Sequence, residues 1–423
     1  MSTFDPKDLT MLGTEILRAG PICDECLGRV AARLGTGLSN ASRGEQIRAW
    51  LKTDGIEGKP GACWVCGGLF NRLDGWVHQA AEQVNSLEFA TYLFGVKLTP
   101  RLEQMEAFYE ERFPSKYRES LKHSLNRVMG IAFERLLPHA ATVDFKAPQV
   151  SFVVDLSTNE LTMHVLSLYV YGRYCKLERG IPQTKWPCRQ CRGRGCEACG
   201  FSGKQYPDSV EEIIAGPLIQ LADSKSACLH GAGREDIDAR MLGRGRPFVL
   251  ELLVPKCRSV DLSDTHELVN VHAGGRVKIS PLQLVHRSAV PWVKELRATK
   301  KYRAFVEFGE PIASDQLRQA LDSLQGEIAQ QTPHRVSHRR ADRVRLRTLH
   351  EVSGQLIDKT HAVVEFHGDG GLYIKELVSS DEGRTNPSLA GRLKVTAVVT
   401  DLDVLEVCSG DAPGSMELND GLS

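Results

Sequence analysis

The chain has no excess of either charge: Lys plus Arg and Asp plus Glu are 53 each, for a formal net charge of zero. Overall charge gives no reason to propose a nucleic-acid partner, so that case must rest on local clustering. No apolar run approaches the roughly 20 residues a membrane helix needs. The opening MSTFDPKDLT lacks the basic-then-apolar order of a signal peptide, and the expected location is the cytoplasm. No glycine-rich loop follows a strand to open a helix, which excludes the usual cradle for a nucleotide cofactor.

What is present suits a soluble globular protein of two or three domains: 423 residues, 42% apolar and 25% charged. Eight of the 12 cysteines fall in four CxxC pairs, which in a reducing compartment point to metal rather than disulfides. Cys23, Cys26, Cys63 and Cys66 form two knuckles able to complete a tetrahedral sulfur shell for zinc, with no position left for water, so the metal would be structural. Cys188, Cys191, Cys196 and Cys199 repeat the pattern within 12 residues, among Arg189, Arg192 and Arg194. This tighter loop is a second candidate zinc site, the alternative being unliganded thiols. Cys175, Cys228, Cys257 and Cys408 are isolated and read as small buried apolar residues.

Along the chain, residues 1–71 read as a zinc-binding module around a helix started by a Ser42 and Glu45 capping box. A mixed α/β region, 72–180, follows. FATYLFGVKL is its first strand, and Pro114 opens a helix carrying Leu125, Met129, Ala132 and Leu136 on one face. VSFVVDLSTNELTMHVLSLYVYG gives two strands joined by a polar turn. The Cys, Gly and Arg-rich connector 181–205 marks the domain boundary. Residues 206–410 alternate many strands, LYIKELV among them, with few helices. Leu317, Leu321, Leu324 and Ile328 make one helical stripe capped by Ser314. The predicted class is α+β with a mixed, mainly antiparallel sheet, not a doubly wound parallel one. The tail 411–423 reads as disordered.

Two charged segments stand out. TPHRVSHRRADRVRLR holds Arg335, Arg339, Arg340, Arg343, Arg345 and Arg347 against one acid, Asp342. If its second half is a strand, Arg343, Arg345 and Arg347 share a face suited to phosphates, although a charge run is also an ordinary solvated face. GREDIDAR packs Arg234, Glu235, Asp236, Asp238 and Arg240 into seven residues beside glycines, either as a solvated turn or as the seat of a reactive carboxylate.

GREDIDARMLGRGRPF, with YGRYCKLERGIPQTKWPC, KKYRAFV, QTPHRVSHRRADRVR and YIKELVSSDEGRTNPSL, resembles the archaeal tRNA pseudouridine synthases that act on uridines 54 and 55 of the T loop, over nearly the whole chain. The resemblance implies zinc and an RNA-binding THUMP domain in the first half and a pseudouridine synthase catalytic domain in the second. It also implies an isomerase acting on tRNA with no organic cofactor and no obligate protein partner. Asp236 matches the family's nucleophile, Asp238 being a rival that the Arg-x-Asp spacing sets aside. Tyr302 and Tyr373 match its substrate-binding tyrosines. Lys375 stands where related synthases keep a basic residue beside the aspartate, and Arg234 would fill the stack vacated by a flipped base. The sequence departs from the family at Ser380, where a glycine is expected; the change tightens the turn and removes no catalytic group. The competing readings are another THUMP-bearing tRNA-modifying enzyme and a non-catalytic, zinc-stabilised tRNA-binding protein.

Overall fold

Gly28 and Gly44 let two helices touch near the N-terminus, because a Cβ on either would collide with backbone of the opposite segment. The helices are α2 (Asp24–Gly28) and α3 (Asn40–Thr53), preceded by α1 (Pro6–Ala19). The computed structural model describes residues 6–34, 36–339 and 341–409. It divides into two compact units, one ending at Leu166 and the other beginning at Ser167.

In the first unit α4 (Leu73–Gln83), α5 (Pro100–Arg112) and α6 (Leu121–Leu136) accompany a sheet of β1 (Thr91–Lys97), β2 (Thr142–Val143), β3 (Val150–Asp155) and β4 (Glu160–Val165), in the order β2-β1-β3-β4. One apolar core runs through it from Ile16 to Val154, so the cysteine module and the sheet are packed as one body. Arg29 joins them: fully buried, it pairs with Glu106 at 2.7 Å and donates to the Glu119 carbonyl.

Two helix starts differ from expectation. α3 is capped by Ser39, whose hydroxyl accepts from the Ser42 amide, so the helix begins before the expected Ser42 and Glu45 box. Buried Asn40 fixes that earlier start, donating to Glu119 at 2.7 Å and to Ser124. α6 starts at the Ser120 cap rather than Pro114, and its buried face is Leu121, Leu125, Met129 and Phe133, with Leu136 exposed.

In the second unit β5 (Leu168–Lys176), β6 (Ser224–Gly231), β7 (Ala239–Pro255), β8 (Val277–Ile279), β9 (Gln283–Val285), β10 (Thr299–Phe308), β11 (Gly326–Gln331), β12 (Val344–Leu356), β13 (His361–Gly368), β14 (Thr385–Asn386) and β15 (Ala397–Cys408) form one sheet. Its order is β14-β11-β12-β13-β10-β15-β7-β5-β8, with β6 paired to β7 and β9 to β5. Every pairing is antiparallel except β15 with β7, the mixed, mainly antiparallel sheet of an α+β protein. The helices are α7 (Val210–Leu221), α8 (Thr265–His272), α9 (Ala289–Glu295), α10 (Ser314–Asp322), α11 (Ile374–Ser379) and α12 (Leu389–Leu393). No helix among the described residues is long and apolar enough to cross a membrane.

Three expectations change here. The strand read as the end of the first half, β5, pairs with β7, so the units part at residue 166 and not in the 181–205 connector. LYIKELV is helical from Ile374, and its last turn ends on Ser380 at φ +72°, a conformation glycine adopts without penalty. The apolar stripe from Leu317 stops being helical after Asp322, and Ile328 lies on β11. Ala313 holds the cap position, and the Gln316 side chain accepts from its amide, so Ser314 is already inside the helix. The predicted tail, 411–423, lies outside the described residues.

Candidate active site

The seven residues from Ala232 to Asp238 link β6 to β7, and buried side chains fix this loop from two sides. Glu235 is enclosed, pairing with Arg246 at 2.8 Å and accepting from the Tyr174 hydroxyl at 3.0 Å. Arg246 also donates to the Ala232 carbonyl. On the other side fully buried Lys176 donates to the carbonyls of Ile181, Asp236 and Ile237 at 2.9, 3.1 and 3.0 Å. Burial lowers its pKa, and Glu235 works against that shift. These contacts leave the Asp236 side chain a third exposed, facing a cleft of about 280 Å³.

Across the cleft Arg335 donates to Asp236 Oδ1 at 3.0 Å and to Glu376 at 2.6 Å. Burial disfavours its charge, but those two carboxylates more than offset it and raise its pKa. Lys375 lies 4.0 Å from Asp236 Oδ2 and 2.6 Å from Asp238, which is its closer partner. Against the effect of burial, the hydrogen bond from Lys375 holds Asp238 below the usual carboxylate range. Tyr302, on β10, is buried at the base of the cleft, with its pKa pushed up to about 12 by burial and the nearby Asp236 charge. Tyr373 forms one wall just before α11; the buried Gln330 amide donates to its carbonyl and accepts from its amide, both at 2.9 Å. Lys300 and Leu372 also line the cleft.

A second recess of about 270 Å³ adjoins the first and is lined by Trp186, Arg234, Asp236, Ile237, Asp238, Arg335 and Lys375. The Arg234 guanidinium stands 5.8 Å from the Trp186 ring centre, within cation–π range. Trp186 is itself held edge-on against Tyr206 by the short pairing of Pro187 with Lys204, at the base of the second cysteine loop.

The structure therefore gathers Arg234, Asp236, Tyr302, Arg335, Tyr373 and Lys375 in one place. The remaining arginines stand apart from it. Arg345 and Arg347 share a face of β12, but Arg345 donates to the Thr332 hydroxyl and Arg347 to the Gly370 carbonyl. Arg343 precedes the strand and is exposed. Arg340 lies outside the described residues, as does the side chain of Arg339. Sequence reasoning counted Arg335 with the basic segment 332–347 as an RNA contact and gave no role to Lys176, Glu235, Arg246, Lys300 or Trp186. Arg335 is 99 positions from Asp236, a separation with no local signature.

Each cysteine set brings four Sγ atoms within 4.8 Å of one another. Cys23 and Cys66 are 3.7 Å apart, and the pairs Cys188–Cys196, Cys191–Cys199 and Cys196–Cys199 are 3.9, 3.9 and 3.7 Å apart. A tetrahedral shell with metal–sulfur bonds of about 2.3 Å needs sulfurs about 3.8 Å apart, so both sets fit a metal ion.

A family model described as Pus10, C-terminal, matches residues 169–408, and one described as Pus10 THUMP domain, archaeal, matches residues 76–155. The tRNA pseudouridine synthase Pus10 of Halorubrum lacusprofundi is 45% identical over 423 residues, covering 97% of this chain and 99% of that protein. Its namesake from Methanothrix thermoacetophila is 40% identical over 430 residues, covering 95% of each chain. That from Methanopyrus kandleri is 40% identical over 424 residues, covering 93% of this chain and 97% of its own. A solved Cbf5-Nop10-Gar1 complex aligns with 56% of this chain and 48% of that one at 16% identity and a TM-score of 0.32, too distant to add to the assignment.

Proposed function

The chain belongs to the Pus10 family of tRNA pseudouridine synthases, and from that premise we propose that Asp236 is the nucleophile with which this isomerase converts uridines 54 and 55 of the T loop. The observation that carries the assignment is the placing of one carboxylate, a third exposed, over the cleft between Tyr302 and Tyr373, with Arg335 beside it, while Glu235 is bound by Arg246 and Asp238 by Lys375. A uridine in a folded loop is out of reach until it is flipped, and Tyr302 and Tyr373 present the aromatic surfaces that receive it. Arg234, with Trp186 behind it, fills the vacated stack. Asp236 attacks C1′, the C1′–N1 bond breaks with its electron pair leaving on uracil, and the uracil turns. C5 then bonds to C1′ as the carboxylate departs, C5 loses its proton and N1 gains one, so the product is an isomer of the substrate.

Both cysteine sets hold structural zinc on this reading, since four thiolates leave no open coordination position. The first unit grips the acceptor end of the tRNA, and the reaction takes place in the cytoplasm. Asp236→Asn tests the central assignment, because it keeps the shape and removes the nucleophile. Pseudouridine formation on unmodified tRNA transcripts should fall by more than a thousandfold, with tRNA affinity and melting temperature unchanged. Activity within tenfold of the parent, or loss in Asp238→Asn alone, moves the role elsewhere.

A further inference from the structure

We propose that the Lys300 ammonium binds a carbonyl oxygen of the flipped uracil and steadies the negative charge the base carries when its bond to the ribose breaks. The proposal rests on the reading of Asp236 as nucleophile and adds a residue to it.

Lys300 lies two positions before Tyr302 on β10, so both side chains project to one face of the strand, and both line the cleft. Room for its ammonium comes from Gly233, at φ +78°, where a Cβ would stand 3.1 Å from Lys300 Nζ and 3.4 Å from Arg246 Nη1. The acid that acts on it, Glu235, is already bound by Arg246 and Tyr174. Lys300 makes no hydrogen bond or ion pair among the described residues. The cleft therefore contains a half-buried cation with no counter-charge of its own, beside a buried one, Arg246.

Such a group is costly unless something in the cleft compensates it. The flipped base does so: as C1′–N1 breaks, the electron pair on N1 spreads onto O2 and O4, and a donor fixed in advance at one of those oxygens gains strength as the charge grows. A phosphate is the other anion that tRNA offers. Arg335 and Lys375, at the more open side around Asp236, are better placed for it than a lysine packed beside Tyr302.

The surroundings also make the group titrate in an accessible range. Burial first, and the Arg246 guanidinium second, push its pKa down to about 7, with Glu235 acting in the opposite sense. Asp236, Arg335, Tyr373 and Lys375 face it across the cleft, and Tyr302 lies beside it on its own strand. Its partners on the adjoining strands, Gly368 and Val407, do not ionise.

The test is kinetics on an unmodified tRNA transcript from pH 6 to 9.5 for the parent, Lys300→Met and Lys300→Arg, with tRNA affinity and melting temperature measured alongside. In the parent, kcat/KM should fall as pH rises through about 7, because the acting form is the ammonium. Lys300→Met should lose about a hundredfold in kcat, the scale of removing one such donor, and lose that limb of the profile. Its tRNA affinity should stay within twofold and its melting temperature should not drop, since an uncompensated cation has been removed. Lys300→Arg, charged throughout, should hold its activity at alkaline pH. Retention of more than half the parent kcat by Lys300→Met, or persistence of the limb in that variant, overturns the proposal. So does a loss confined to affinity and its salt dependence, which would make Lys300 a phosphate ligand. If Lys300→Met does not fold, a parent profile without the limb overturns it equally. Asp236→Asn separates the two readings: an active Asp236→Asn removes the nucleophile assignment, whereas an inactive one beside a fully active Lys300→Met removes only this proposal.

Discussion

Each charged side chain between Arg234 and Arg240 has a different partner: Arg234 meets Trp186, Glu235 Arg246, Asp236 Arg335, Asp238 Lys375 and Arg240 Asp403. The crowding of opposed charges is thus a set of tethers that holds one carboxylate where it can react. Asp403, the acid that Arg240 reaches, is 1% exposed, receiving Arg240 through both carboxylate oxygens and Arg179 at 2.7 Å. Burial opposes its charge, but the two arginines win and its pKa is lowered. A carboxylate depressed in the folded state contributes stability that is fully present above its unfolded pKa, about 3.9, and is lost as pH falls through the folded value. Asp403→Asn should therefore destabilise the protein at pH 7 by roughly 2 kcal/mol, less than the about 3–5 of a fully buried pair because both arginines keep some water. The deficit of the variant should shrink as pH falls below about 3.9 toward the depressed folded value. Urea melts at pH 7 and pH 3 check this, and an equal deficit at both would assign the effect to packing.

At the scale of elements, the local signals that carried through were those complete within a few residues: CxxC knuckles, the alternation of VSFVVD and the apolar run of FVLELLV. Signals that needed a distant partner failed. LYIKELV reads as a strand from its apolar residues, yet Gln330, 43 residues earlier, caps the backbone at Tyr373 and starts a helix there. Ser42 and Glu45 satisfy a capping pattern, but the buried contacts of Asn40 with Glu119 and Ser124 start the helix sooner. The second cysteine loop belongs with the first kind, and it supports Trp186 beside the cleft as well as closing on itself. Protein purified without chelator should therefore contain two zinc ions per chain by elemental analysis. Cys188→Ser should reduce the count to one, and because the loop carries Trp186 it should also reduce turnover, leaving the core of the first unit intact. A count of one in the parent with no change in Cys188→Ser would leave the second set as free thiols.

For the whole molecule, the class of sheet was legible from many strands with few helices between them, but the point of division was not. β5 lies next to the first unit in sequence and bonds to β7 some 70 residues later, a pairing that no window of sequence shows. The same distance hid Arg335, whose sequence neighbours are basic while its partner is Asp236. Removing it from the arginine stripe leaves Arg343, Arg345 and Arg347 as the described candidates for backbone contact, in a chain whose net charge of zero gives tRNA no general attraction. Arg345 and Arg347 each give one nitrogen to a loop bordering the cleft and retain further donors, and Arg343 faces solvent. If all three meet phosphates, replacing them together by glutamine should flatten the log–log salt dependence of tRNA binding by about two to three units, at about 0.7–0.9 per contact. Affinity should fall alike for every tRNA sequence, because phosphate contacts do not read bases. Titrations at several salt concentrations decide the matter. An unchanged slope accompanied by a lower melting temperature would mean that these arginines serve only to brace the loops at Thr332 and Gly370.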